Sequence, residues 1–478
     1  MYQSTWATPL PHSGTLRRIP GPTATRYTAL WYLHKVYKGD FHHESIRLHE
    51  KHGKIVRIAS NMYSIDDADA ARTIYGHGTK FLKADWYSSW TAPAVWSVDL
   101  FAMQDAKAHG VARRQFASYY SMSSMVHYEG YVDDSIRVFH KQLEAFSGRG
   151  ARWIWFGKAF GYLDRAEDIN NMIAKLDQSN LYSALMDLFP SAHALIVRFA
   201  ESPAQVMIDY IKDLISQQKA NPNAAKDDSP NQNNTNNDNN NNPARTEAFL
   251  CKFLTAHDRD PSSFTLTHLL FGCVQNIFAG SDTTAIALSS IISHLTRNPA
   301  CLAKLRGETN AAATEGTISE PITFAQSQSL PYLQAVIKEA LRINPAVGLP
   351  LVRMVPAGGA VLCGEFSPQG LIGINPWVAH YNRSVFGTDA HVFQPERWLG
   401  EGKKEGLQTS NMKRYFLPFG LGSRTCIGKN ISLLEIGKLI PQLVRNFDFE
   451  LVSRQDALAG QNYWFVKPHG FEVIPRKL

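Results

Sequence analysis

From Thr265 to about Leu295 the chain repeats apolar residues at helical spacing for roughly thirty residues, longer than the usual globular helix. Polar side chains interrupt the pattern: His268, Gln275, Asp282, Thr283 and Thr284. No stretch reaches about 18 uninterrupted apolar residues, so no ordinary membrane span is predicted. A helix this long and this mixed must be wrapped by others to bury its apolar faces. It predicts the central helix of one large, mainly α domain. With 44% apolar residues in a chain of 478, there is material for such a core.

Strand signals are few. Lys54–Ile58 and Met62–Ile65, joined across Ser60-Asn61, read as a hairpin, and Asp66 reads as the cap of a short helix through Tyr75. Strand-like pieces follow at Val361–Cys363 and Leu371–Ile374, after a helix that ends near Arg342. The last long helix is expected from Ile427 to about Asn446. The fold class is therefore mainly α with small β-sheets (α+β). Residues 1–22 form a polar leader ending in the Pro-rich hinge Ile19-Pro20-Gly21-Pro22, and residues 23–478 form the single large domain. Within it, the Asn-rich tract Lys219–Pro243 has too little apolar surface to offset its ordering entropy, and is predicted to be a disordered, dispensable loop.

The formal net charge is +7, spread along the chain rather than blocked, which argues against a nucleic-acid partner. Five well-separated cysteines, with no pair at zinc-ligand spacing, suggest neither a disulfide framework nor a zinc site and point to a reducing compartment. Met1 to Arg18 lacks the apolar core of a signal peptide. The aromatic, amphipathic stretch Tyr27–Tyr37 suits either a core-facing helix or peripheral membrane contact.

Of the cysteines, Cys426 alone has a special setting: Phe419-Gly420-Leu421-Gly422-Ser423-Arg424-Thr425-Cys426-Ile427-Gly428. It directly precedes a helix, whose free N–H groups and dipole favour a thiolate. Gly422 permits a tight turn and close backbone approach. Gly428 leaves the helix surface bare beside the sulfur, so that a flat macrocycle can pack there. Arg424 offers a rigid fork for a carboxylate, and Phe419 can shield the sulfur from water. A lone cysteine here would read as structural. Five typed residues at fixed spacing arise by chance in roughly one chain in ten thousand at ordinary residue frequencies. The G-x-G-x-x-G spacing of a dinucleotide loop is absent.

This segment resembles the haem-binding loop of cytochromes P-450, and three further motifs occur in that family's order. Ala279-Gly280-Ser281-Asp282-Thr283-Thr284 resembles the oxygen-activating stretch of the central helix. Glu339-Ala340-Leu341-Arg342 resembles the E-x-x-R motif, and Pro395-Glu396-Arg397-Trp398 resembles the segment whose arginine joins that pair. Wording such as GINPWVAHYNRSVFG resembles the fungal microsomal branch near pisatin demethylase-like enzymes of secondary metabolism.

The resemblance implies haem b (iron protoporphyrin IX) ligated by Cys426, with Asp282 and Thr283 as a proton relay. It implies His109, Arg113 and Arg353, beside Arg424, as propionate contacts. Gly280 would open the central helix locally. Trp86–Met103, Phe278, Val347–Leu349 and Tyr463-Trp464-Phe465 would line a pocket for a bulky lipophilic substrate. O2 would be the oxidant, and electrons would come from NADPH through a separate NADPH-cytochrome P-450 reductase. The implied location is the cytoplasmic face of the endoplasmic reticulum, with a cytosolic protein as the alternative, because no anchor helix precedes Ile19.

Two rivals follow from the residues. A haem-thiolate isomerase or dehydratase needs no reductase, although such enzymes often lack the Asp-Thr pair. An inactive relative is the other, because Ser147–Arg152 runs directly into Trp153, where relatives of the family carry another core helix. That junction predicts that the stripe Val132, Ile136, Phe139 and Leu143 lacks a partner, and that the chain holds haem poorly.

Overall fold

The computed structural model describes residues 18–91, 95–147, 153–154, 171–186, 189–196, 205–220, 249–367, 370–400, 406–452, 460–468 and 471–478. The helices that frame the site are α1 (Leu30–Lys38), α2 (Phe41–His52), α3 (Ala68–Tyr75), α4 (Ala106–Ala117), α5 (Glu129–Ser147), α6 (Met172–Met186), α7 (Leu266–Arg297), α8 (Pro331–Ile343) and α9 (Lys429–Asn446). The strands are short: β1 (Ile55–Ala59), β2 (Met62–Ile65), β3 (Trp153–Ile154), β4 (Arg353–Met354), β5 (Ala360–Leu362), β6 (Glu365–Ser367), β7 (Leu371–Gly373), β8 (Phe447–Leu451), β9 (Gln461–Tyr463), β10 (Phe465–Lys467) and β11 (Glu472–Lys477). They form a four-stranded sheet β1-β2-β7-β4, a three-stranded sheet β3-β11-β8, and the pairs β9-β10 and β5-β6. The expected mainly α architecture with small sheets is what the chain adopts.

Thr265 and His268 start α7 with a reciprocal cap, the Thr265 amide donating to His268 Nδ1 at 3.1 Å. The helix then serves two packed clusters. Its first half gives Leu269, Leu270, Phe271, Val274 and Ile277 to a cluster shared with Phe116 of α4. Its second half gives Ala287, Leu288, Ile291, Ile292 and Leu295 to a cluster shared with α5, α8 and α9. Burying each large side chain contributes about 1.5–3 kcal/mol, so the two ends are firmly held. Between them Ala279 is exposed, and Gly280, Ser281 and Thr283 are only half-buried.

Several expectations change. The cap of α3 is Asp67, whose side chain accepts from the amides of Asp69 and Ala70. Asp66 turns inward instead, accepting from Asn382 at 2.8 Å and Tyr415 at 2.9 Å, and burial pushes its carboxyl up to about 6. The Pro-rich hinge is tied to β1, the Arg57 amide donating to Pro20 O. Lys219, placed in the Asn-rich loop, closes a helix Gln205–Ala220; the rest of that tract lies outside the described residues, as do residues 1–17 of the leader and junction residues 148–152. Gly280 does not open the helix: α7 is unbroken there, and the Thr283 hydroxyl donates back to Ala279 O at 2.8 Å.

The stripe on α5 does find a partner. Ile136, Phe139 and Leu143 are buried in the cluster of α7, α8 and α9, and Val132 packs against it. Phe471 and Val473 reach the same cluster from the C-terminal segment. The expectation of a void beside α5 is corrected: direct packing of α5 on α9 and β11 supplies the cover.

Candidate functional site

Two glycines in the left-handed region shape the cysteine loop, Gly420 at φ 71° and Gly422 at φ 67°. A Cβ on Gly422 would stand 2.1 Å from Tyr75 O, so its close approach is to the end of α3. The Cys426 amide donates to Phe419 O at 2.8 Å, and the Thr425 hydroxyl donates to Gly422 O at 2.8 Å. These bonds deliver Cys426 to the start of α9, whose first residue is Lys429. Burial pushes its thiol up, while the Gly428 and Lys429 amides and the charges of Arg113 and Lys429 oppose that rise. The side chain is nevertheless exposed. A sulfur deep among protein atoms yet accessible lines an internal space. At Gly428 a Cβ would meet Cys426 Sγ only at 3.9 Å. The protein itself therefore leaves room for a side chain there, and the bare surface opens beside the sulfur. Phe419 is half-buried at the loop's other end, with Lys429 Nζ 5.8 Å from its ring centre.

The half-buried stretch of α7 lies close to the start of α9, since Thr284 Oγ1 and Ser432 Oγ are 3.1 Å apart. A Cβ on Gly280 would meet nothing within 4 Å. Asp282 is buried and ion-paired at 2.7 Å with Lys467 of β10, which also bonds Asp177 of α6. Against burial, these two carboxylates hold the Lys467 ammonium above its ordinary value. Glu435 of α9 is hydrogen-bonded with Thr284, and burial pushes its carboxyl up to about 7. Lys467 and Glu435 were not singled out from sequence.

The proposed acid-binding residues do converge. Arg424 donates to Met103 O at 2.7 Å and Gln104 O at 3.1 Å, just before α4, which carries His109 and Arg113 one turn apart. Burial, then Arg353, pull the Arg424 guanidinium down to about 10. Burial, with Arg424, Lys83 and Arg113, pushes His109 down to about 3. Arg353 is buried, donating to Tyr87 Oη at 3.1 Å and to Val352 O at 2.9 Å. Among the described residues none of these cations is ion-paired with a carboxylate. A cluster of this sign, beside an accessible sulfur and a glycine with room before it, fits a flat macrocycle bearing two acid groups.

The aromatic pocket residues gather as well. Trp86, Tyr87, Trp90, Phe101 and Trp464 surround one another, with Trp86 and Trp464 ring centres 4.8 Å apart, and Val347, Leu349, Tyr463 and Phe465 join them. Trp464 holds φ 86° at the tip between β9 and β10, a conformation rare for a bulky residue. Phe278 packs instead with the first-half cluster of α7.

Glu339 and Arg342 form a fully buried bidentate pair at 2.8 Å. Arg397 adds a contact to Glu339 at 3.2 Å, and Trp398 Nε1 donates to it at 2.8 Å. Arg342 also donates to the carbonyls of His380, Ala390 and Val392, fixing the loop-rich stretch to α8.

Comparison with known proteins agrees with this geometry. Residues 151–471 match the family model described as Cytochrome P450. The chain is 37% identical to a pisatin demethylase of Fusarium vanettenii, across 95% of this chain and 89% of that protein. It is 34% identical to a cytochrome P450 monooxygenase of Aspergillus terreus, across 92% of each. With cytochrome P450 monooxygenase cicH of Emericella nidulans, the identity is 32% across 96% of this chain and 93% of the relative. A site with one accessible buried thiol and relatives of this kind along nearly its whole length lead to one conclusion: the chain belongs to the cytochrome P450 family and is a haem-thiolate monooxygenase.

Proposed function

We propose that this protein inserts one atom of O2 into a bulky, lipophilic, aromatic-rich small molecule in fungal secondary metabolism, using haem b and NADPH through a separate NADPH-cytochrome P-450 reductase. The observation that carries this reading is Cys426, deep but accessible at the start of α9, beside a helix that presents an acid and a hydroxyl. When bound, haem would supply the oxygen activation, with a thiolate favouring O–O cleavage. Cys426 would hold the iron, assisted by the Gly428 and Lys429 amides. His109, Arg113, Arg353 and Arg424 would neutralise the acid groups and fix the plane of the ring. Thr283 would hold a proton at its hydroxyl, and Asp282 would replenish it from the side of Lys467.

The aromatic group around Trp86 and Trp464 suits a planar, apolar substrate, and the pisatin demethylase relatives make methyl-bearing polycyclic compounds the first probes. Tyr27, Leu30 and Tyr37 are exposed beside Lys35 and Lys38 on α1, while Tyr32 and Val36 face the core. That face supports peripheral contact with the cytoplasmic surface of the endoplasmic reticulum; no helix among the described residues is long and apolar enough to cross a membrane. The buried stripe on α5 and the Asp282–Thr283 pair favour an active monooxygenase over both rivals.

The test is incubation with reductase, NADPH and labelled dioxygen over a panel of methylated polycyclic aromatics. Label in product or in released formaldehyde supports the proposal. Product formed without consumption of O2 would favour an isomerase or dehydratase.

A further inference from the structure

We infer that His380 is a positioning residue for Cys426, its neutral ring tying the cysteine loop to the backbone of Arg342. This role rests on the haem reading above. His380 ends the short helix Pro376–His380 and is fully buried. Its Nδ1 lies 2.9 Å from Arg342 O, and the Leu417 amide donates to its Nε2 at 2.8 Å. A carbonyl can only accept and an amide N–H can only donate, so Nδ1 carries the ring proton and Nε2 is bare. One neutral tautomer satisfies both ends; a doubly protonated ring would satisfy only one. Burial, then the Arg342 charge, push the ring down to about 3 against the carbonyl bond, so the neutral form persists.

From Leu417 the bonds run straight into the loop. Leu417 O accepts from the Gly420 amide at 3.1 Å, and Phe419 O accepts from the Cys426 amide at 2.8 Å. At the other end the hold on His380 is doubled, because Arg342 Nη1 donates to His380 O at 2.9 Å. Phe416 stacks on the ring with centres 5.4 Å apart, and Phe386 meets it edge-on at 6.2 Å. Leu417 is itself only 1% exposed, so its amide has no water to turn to once Nε2 is gone. The start of the cysteine loop is thereby fixed to α8 through one imidazole.

The competing explanation is that His380 only fills the space between α8 and the loop. Glutamine reaches the Nε2 position and can accept from Leu417, while asparagine reaches only the Nδ1 position and can donate to Arg342 O. Each variant therefore loses one bond, but only His380→Asn loses the one that leads to Cys426. The holoproteins are reduced under carbon monoxide and held in mild denaturant while the thiolate-type band converts to that of a neutral ligand. His380→Gln is expected to convert near the unaltered rate, and His380→Asn about tenfold faster, the size of one buried amide left without an acceptor. Equal rates in the two variants, a faster rate in His380→Gln, or failure of either to fold would overturn the inference. Histidine-selective nitrogen spectra of the unaltered holoprotein, with His380→Gln to identify the resonance, should show a protonated Nδ1 and a bare Nε2. The opposite tautomer would overturn it as well. Failure of the unaltered protein to give the thiolate-type band at all would instead overturn the haem reading itself.

Discussion

Two groups of buried arginines occupy this fold, and they balance charge in opposite ways. Around Arg342 every guanidinium N–H has an acceptor, and Glu339 lies between Arg342 and Arg397 with further donors from Gln394 and Trp398. Asp389 and the Phe386 carbonyl take the rest of Arg397. That group is complete within the protein, which is the signature of a brace. In the other group Arg353, Lys83 and Arg424 bond to carbonyls or a tyrosine oxygen or lie over rings, and neither they nor nearby Arg113 is ion-paired among the described residues. That group has no carboxylate at ion-pair distance among the described residues, which is the state the proposed acid-bearing cofactor would complete. Residue type does not separate the two; the local charge balance does.

The largest effect should come from breaking the brace. Glu339→Gln leaves two buried guanidinium groups without their shared carboxylate, a loss of about 3–5 kcal/mol. Net stability of a domain is only about 5–15 kcal/mol, so the yield of folded holoprotein should collapse, as read by denaturant titration. An unshifted midpoint would mean that the brace is not one.

A smaller and different loss is expected at the second group. Arg353→Met should leave unfolding nearly unchanged while haem loss quickens about tenfold, the size of one charge-assisted hydrogen bond. Equal damage to folding in both variants would erase the distinction drawn here.

Acid titration should separate the groups again. Glu339 is held below its ordinary value by Arg342 and Arg397 against the pull of burial, so its contribution is present above about 4.5 and fades only as pH falls through its lower folded value. His109 is pushed down to about 3 by burial and the neighbouring cations. An unfolded chain protonates it near 6.5. Stability is therefore lost from about 6.5 downward towards 3, by at most about 1.4 kcal/mol per pH unit. His109→Gln should flatten that limb in denaturation curves taken between pH 6.5 and 4; an unchanged slope would refute the assignment.

The smallest effect on folding and loading should come from Thr283→Ala, because among the described residues that hydroxyl bonds only its own helix. Haem content should hold, while reducing equivalents divert to hydrogen peroxide. Full coupling of NADPH to product in this variant would remove Thr283 from the relay.

What was legible in the sequence was whatever is local or rhythmic. The cysteine loop, the E-x-x-R pair and the long central helix are each written within one segment, and each stands where spacing put it. Long-range partners left no such trace. Lys83 meets Arg353 270 residues later, and Lys467 meets Asp282 from the other end of the chain. Nothing in the local pattern marks either lysine as buried. Asp66 and Asp67 are both plausible caps by type, and only the approach of Asn382 and Tyr415 decides which one turns inward. The stripe on α5 likewise needed β11, more than 300 residues away, before its cover became visible.

The most direct test is the carbon-monoxide difference spectrum of the reduced protein. The unaltered chain, Cys273→Ala and Cys363→Ala should all give the thiolate-type band, and Cys426→Ala should lose it. A Cys426→Ala protein that keeps that band would contradict the assignment on which the whole site rests.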